Sequence, residues 1–438
     1  MRYCIMGSTE QEVRQAGGTN ISVKRTLNMV FADMSEKQVA RLSGKPGVTI
    51  TIVRDTKLSV APPTPIPASV SESLTPSAIL EELEFTQWKD LLGLPMDGAG
   101  LDAAVLDTGI HKTHVELNGA VVYEEDFSGS SSPTDVYDHG TGVADVIHAM
   151  APASKILNMK VINDAGLGQE EAVVSAIERC IEMHEQRYEY APNFICLSLG
   201  SEDDGNYNNP IRVACRYAID HYNIWIAAAA GNDGPGDSTI TCPATEQYVC
   251  AVGACRLPDT YVEEYSARGP TKEGLVKPDV VYIGKDVLVA SCKSDTATKA
   301  ASGTSFATPF IIGMTTLFRQ VCRAEATQGS ELAFQDVPYL IKGLGIPNDP
   351  TMQIMIDEYC PIVCLKPGDA AVTGHLSTKD NTYGYGTPFA TLAQRFMKAA
   401  GTSAVVESIV TPLMTIMGMG MMMSMMQPMI KNLTKGGD

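Results

Sequence analysis

The sequence predicts an α/β protein: a mostly parallel sheet with helices on both faces, preceded by a small α/β module. Three observations carry that expectation. Between about residues 100 and 320, short apolar runs alternate with stretches of helical character, as strands joined by crossover helices do. A Pro- and Ser-rich stretch, APPTPIPASVSESLTPS (61–77), sets this region apart from a shorter N-terminal one. The charge also changes there: residues 1–77 carry a net +3 and residues 78–398 a net −21.

On the N-terminal side, residues 20–56 read as a compact unit. A strand-like run lies in NISVKRTLNMVFADM, Ser35 can cap a short helix that Pro46-Gly47 stops, and VTITIV alternates as a second strand. Residues 61–77 have the composition of an extended, exposed linker. Strands are then expected at 103–107, 155–161, 194–199, 224–230 and 248–255, and helices at 139–150, 169–186, 209–222 and 305–322. The end of the chain differs again. Ser408–Met426 has no formal charge and contains eight methionines; as a helix it would be roughly 28 Å long, near the thickness of a bilayer core. Pro412, Gly418 and Gly420 weaken such a helix, so the tail is read as adaptable apolar surface for a protein partner or a membrane. The expected division is 1–60, 61–77, 78–398 and 399–438.

Composition narrows the functional classes. Of 438 residues 44 % are apolar, which excludes a mainly disordered chain. A net charge of −18 lacks the basic footprint of nucleic-acid binding. The 11 cysteines form no Cys-x-x-Cys pair, and Cys360 and Cys364 lack neighbours for zinc; free thiols and no metal are expected. The first residues contain no apolar leader-like run, so a cytoplasmic location is expected, with the tail able to attach the chain to a membrane or particle.

The chemistry resides in four segments. Asp107 ends the apolar run AAVLD, where a carboxylate would sit at the carboxyl edge of a parallel sheet. His139 opens the helical stretch HGTGVADVIHAM, and Ser305 follows Gly303-Thr304 at the start of another. Singly, each is an ordinary turn or helix-start residue. Together they supply a weak nucleophile, a base to take its proton and a carboxylate to orient that base. Asn232, in AAAAGNDGPG, follows a strand of small residues, where its amide can donate to a developing oxyanion.

These segments resemble the subtilisin-like serine proteases. DTGI, HGT, AAAAGN and SGTS-x-ATP stand in that family's order, and MAPASKILNMKVIN, CLSLG, CPATEQYVCAVGA, YSARGPTKEGLVKPDVV and YGYGTPFA match as well, over about residues 80–398. The resemblance implies that Asp107, His139 and Ser305 are a catalytic triad and that Asn232 and the Ser305 N–H form an oxyanion hole. It implies substrate pairing along Ser198-Leu199-Gly200. The first specificity pocket would then lie between that edge and Ala228, Ala229, Ala230 and Gly231, with room for a medium or large apolar side chain. FADMSEKQVARLSGKPGVTITIVRD resembles the family's inhibitory propeptide, which assists folding and inhibits until cut away. The function implied is a serine endopeptidase acting on polypeptides through an acyl-enzyme and made as a self-inhibited zymogen; the alternative is a catalytically silent binding or assembly protein on the same fold. Several positions depart from the family: Asp138 replaces a Gly, Gly142 a His, Asp145 a Gly, Phe306 a Met and Phe310 a His. No cofactor is expected to be required; the resemblance leaves calcium possible, but relatives that bind it tightly after the His helix carry a longer loop there, so it is not expected at that place.

Overall fold

The computed structural model describes residues 1–53, 58–59, 75–76, 97–256, 261–327, 363–365, 380–384 and 387–389. Most of the linker and all of the tail, 399–438, lie outside the described residues. In chain order the elements are β1 (Arg2–Met6), α1 (Glu10–Ala16), β2 (Thr19–Lys24), β3 (Met29–Asp33), α2 (Glu36–Val39), β4 (Thr49–Ile52), β5 (Leu58–Ser59), β6 (Ala103–Asp107), β7 (Val121–Asp126), α3 (Gly140–Met150), β8 (Ile156–Lys160), β9 (Leu167–Gly168), α4 (Glu170–Glu185), β10 (Phe194–Leu197), α5 (Pro210–Tyr222), β11 (Trp225–Ala229), β12 (Cys250–Cys255), β13 (Val280–Ile283), β14 (Val287–Ala290), β15 (Thr298–Ala301), α6 (Thr304–Thr327), β16 (Val363–Leu365) and β17 (Thr387–Phe389).

Seven strands form the central sheet in the order β13-β12-β11-β10-β6-β8-β7, all paired in parallel. Side-chain alternation divides its strands between two cores. Ala103, Val105, Phe194, Cys196, Ala227 and Val252 join residues of α3 and α6 on one face. Ala104, Leu106, Ile195, Leu197, Ile226 and Ala251 join residues of α4 and α5 on the other. Burial on both faces explains why these strands read as unbroken apolar runs. β7, β13 and the hairpin of β14 and β15 are additional to the elements expected from sequence. The edge strand β7 is VVYEED, only half-buried, so its composition is mixed.

The N-terminal module begins earlier than residue 20. Its four antiparallel strands are ordered β2-β3-β1-β4. Thr9 and Glu12 form a capping box at the start of α1, and Gly17 closes the helix in the left-handed conformation. Tyr3, Ile5, Val30 and Ala32 pack with Val13 and Ala16 of α1 in a small core of their own. The opposite face, with Cys4, Met29 and Phe31, belongs to the same core as Val173, Val174 and Ile177 of α4 and Ala214 of α5. At the rim Arg2 makes a bidentate pair with Glu171, at 2.9 and 3.0 Å, and the Thr26 N–H donates to Glu178 at 3.1 Å. Beyond the module, β5 pairs antiparallel with β9. The described cysteines are free thiols, buried except for Cys292. Among the described residues no helix is long and apolar enough to cross a membrane.

Phe31 is fully buried in the shared core, so Phe31→Ala should cost about 3–5 kcal/mol locally. Amide hydrogen exchange should accelerate across β1–β4 while β6 and β10 stay protected. Equal acceleration everywhere would show that module and body open as one unit.

Candidate active site

Asp107 is the last residue of β6 and 1 % exposed. His139 is the N-cap of α3. Its Nδ1 donates to Asp107 Oδ1 at 2.8 Å, and the Thr108 N–H donates to the same oxygen at 2.7 Å. The start of α3 is held by Asp135, which sequence reasoning did not single out. Its carboxylate accepts from the Thr108 hydroxyl, from the N–H groups of Asp138, His139 and Thr141, and from the Thr141 hydroxyl. The detectable signal was an Asp just ahead of a helix, where orphan N–H groups and the helix dipole favour a carboxylate.

Ser305 lies in the first turn of α6 and is 3 % exposed. Its hydroxyl donates to the Ser198 carbonyl at 3.1 Å, and the Ser198 hydroxyl donates back to the Ser305 carbonyl at 2.7 Å. Pro309 makes the second bond available. Having no N–H, it leaves the carbonyl four residues earlier without its helical partner, and Ser198 takes that place. His139 Nε2 is buried and makes no hydrogen bond among the described residues; the ring leans on Phe306, with centroids 5.1 Å apart. Asp107 and His139 are thus in contact, while the Ser305 hydroxyl points to Ser198.

Asn232 is oriented by its neighbours. Its Oδ1 accepts the Thr304 N–H at 2.9 Å and the Thr304 hydroxyl at 3.1 Å, and that hydroxyl accepts the Gly231 N–H at 3.2 Å. With the carbonyl end engaged, the amide NH2 is the end left to donate. Thr304 is a second residue that sequence reasoning missed.

Ser198, Leu199 and Gly200 continue β10 beyond the sheet, beside Ala228 and Ala229 of β11 and the following Ala230 and Gly231. The methyl groups of Ala228 and Ala230 lie in the core with α4 and α5, so these residues can offer only main chain to a cleft. Thr241 bridges the two walls. Its N–H and hydroxyl donate to the Ala230 carbonyl at 2.9 and 3.2 Å, and Cys242 pairs with Ser201. A Cβ on Gly200 would come within 2.4 Å of Thr241 Oγ1, and one on Gly231 within 2.7 Å of Thr241 Cγ2. The expected room for a medium or large side chain did not account for this threonine.

Two carboxylates near His139 have shifted acidity. Burial works against ionisation of Asp138, yet Lys299 and bonds from Cys292 and Ser291 hold it below the ordinary carboxylate value. Burial pushes Asp145 up to about 7, against the pull of the Ala290 N–H and with a small addition from Glu116. Asp135, Asp138 and Cys292 lie close enough together to suggest a metal. Their donors argue otherwise: Asp135 is saturated as described, and Asp138 accepts from Ser291 and Cys292. α3 and β8 are joined by residues 151–155 alone.

The Subtilase family model matches residues 98–334. Serine protease AprX of Bacillus subtilis is 27 % identical over 283 residues, covering 57 % of this chain and 62 % of that protein. Proteinase T of Parengyodontium album is 28 % identical over 252 residues, 55 % of this chain and 81 % of its own length. The subtilisin-like serine protease AsES of Sarocladium strictum is 31 % identical over 223 residues, 50 % of this chain and 53 % of its own. The solved S41 psychrophilic protease shares the fold, with a TM-score of 0.51 and 24 % identity over 68 % of this chain and 96 % of that one.

The Asp145 shift has a stability consequence. Below about pH 4 the group is protonated in folded and unfolded chains alike and contributes no difference. Between about pH 4 and about 7 the unfolded chain ionises while the folded one keeps the buried proton, so stability falls across that window and levels off above it. Asp145→Asn keeps an acceptor for the Ala290 N–H without that loss. The Tm difference, variant minus wild type, should grow as pH rises from about 4 to about 8; a constant difference would show that Asp145 titrates normally.

Proposed function

Because the chain belongs to the subtilase family, we propose that it is a serine endopeptidase. In this reading Ser305 is the nucleophile, His139 the base and Asp107 the carboxylate that orients it. The observation that carries it is His139, whose Nδ1 is fixed on buried Asp107 while Nε2 makes no hydrogen bond among the described residues. The Ser305 oxygen attacks the scissile carbonyl as its proton passes to Nε2, and Asp107 stabilises the imidazolium that forms. The oxyanion is received by the Asn232 amide and the Ser305 N–H, which lies at the positive end of α6. Collapse expels the amine, protonated by His139, and water then releases the acyl group by the same steps in reverse order.

The substrate chain pairs with Ser198-Leu199-Gly200, and Thr241 restricts the residue before the scissile bond to small side chains. Residues 1–60 act as an intramolecular inhibitor. Support for this comes from the docked module and from Leu58–Ser59 pairing with Leu167–Gly168. Gly166, next to that edge, backs onto the Tyr137 ring, two residues ahead of His139. The acidic body and basic module attract one another, so inhibition weakens with salt. Residues 399–438 take no part in the chemistry.

Ser305→Ala should abolish both peptide hydrolysis and labelling by a fluorophosphonate. A wild-type protein that does not label would favour the silent binding protein instead. Asn232→Ala should lower kcat about 10²–10³-fold, as loss of an oxyanion donor does in this family, with KM nearly unchanged. Thr241→Gly should move the cleavages in a peptide library towards larger residues before the cut; an unchanged distribution would refute its role.

A further inference from the structure

The β14–β15 hairpin, Val287–Ala290 paired with Thr298–Ala301, engages α3 and the segment that follows Asp107, and leads in the chain to α6. Its tip engages the segment following Asp107. The Asp295 carboxylate accepts from the Thr113 hydroxyl at 2.8 Å and meets His111 Nε2 at 2.7 Å, while the Asp295 carbonyl accepts the Val115 N–H at 2.8 Å. The Ala297 carbonyl meets His114 Nε2 at 2.8 Å. The end of β14 engages α3 and its leading loop. The Ala290 N–H donates to Asp145 at 2.8 Å, and the Ser291 hydroxyl and Cys292 N–H donate to Asp138 at 2.9 and 2.8 Å. Lys299 of β15 pairs with the Asp138 carboxylate at 3.5 Å and donates to its carbonyl. From Ala301 the chain runs through Ser302 and Gly303 directly into α6 and Ser305.

The side of α3 that meets the hairpin is unusual in sequence. Gly142 and Asp145 stand three residues apart on one face of α3, Asp138 immediately precedes its N-cap, and at each the chain departs from the pattern it otherwise resembles. Asp138 adopts φ +78°, a conformation disfavoured for residues other than glycine; its carboxylate there reaches the hairpin. Gly142 is needed for close approach, because a Cβ would come within 2.7 Å of Val289 and 3.3 Å of the Ala290 carbonyl. Two carboxylates and an absent side chain thus serve one contact, and the bonds to Asp138 and Asp145 are charge-assisted when those groups are ionised.

We propose that the β14–β15 hairpin braces the active site, and that Asp138, Lys299 and Asp145 are positioning residues that act through it to hold His139 against Ser305. This rests on the serine-endopeptidase reading. Small displacements of reacting groups are costly, about 10²-fold in rate for an ångström, so a brace that only restrains α3 still bears on kcat.

The test uses the full chain, with kcat and KM on a short peptide and the rate of fluorophosphonate labelling at Ser305, each normalised to labelled sites. Asp138→Gly and Lys299→Met should each lower kcat and the labelling rate by about tenfold, with KM within about twofold of wild type. Combining them should cost little more than Asp138→Gly alone, since both cut the same tie. Asp138→Asn, which keeps an acceptor for the Cys292 N–H, should recover part of the loss. Unchanged kcat per labelled site in both single variants, or a loss confined to KM, would overturn the brace. If Asp138→Gly does not fold, Lys299→Met decides alone. An unlabelled, inactive wild type would overturn the endopeptidase reading and the brace with it; an active wild type with unaffected variants overturns the brace only.

Discussion

The buried contact between Asp107 and His139 is the constraint around which the body is arranged. A carboxylate taken out of water is costly unless donors replace the water, and Asp107 finds two, the His139 ring and the Thr108 N–H. That demand fixes where the carboxyl end of β6 meets the start of α3. β6 lies between β10 and β8, so its end opens towards the middle of the carboxyl edge, where α/β proteins place their sites. α3 must then begin at that edge, and Asp135 holds it there by gathering N–H groups that a helix start cannot satisfy internally.

The opposite side of the site follows the same logic with neutral groups. The first turn of α6 offers unsatisfied donors, and Asn232 is fixed beside it by Thr304. The carbonyl released by Pro309 is answered by Ser198, which ties the end of β10 to α6. Backbone groups that one element cannot satisfy are satisfied by another, and these exchanges bring the ends of β6, β10 and β11 and the starts of α3 and α6 to one place.

Much of this was legible in the sequence, for identifiable reasons. Ala103–Asp107, Phe194–Leu197 and Trp225–Ala229 are buried on both faces and therefore read as apolar runs. Asp107, His139, Ser305 and Asn232 stand out because their residue types are rare partners in that order and at element boundaries. Other features depend on contacts that no local pattern records. Ser291 meets Asp138 across 153 positions, and Thr304 meets Asn232 across 72. Thr241 is an ordinary residue until the fold sets it between Gly200 and Gly231. β1 and α1 escaped because RYCIM and EQEVRQA are short and weakly patterned, and are stabilised by packing within a four-stranded sheet that forms only from pieces distant in sequence.

The shared core beneath the N-terminal sheet separates two events that are easily treated as one. Cutting the chain between residues 53 and 97 breaks a covalent bond but leaves Cys4, Met29, Phe31 and Val53 packed with α4 and α5, and Arg2 on Glu171. Departure of the severed piece requires those apolar surfaces to rehydrate together, so its pace is that of a dissociating interface rather than of hydrolysis. A nicked molecule would therefore persist as a two-chain complex, with a lag between the cut and the release of the severed piece. Mild denaturant, by weakening the burial of those apolar surfaces, would shorten that lag.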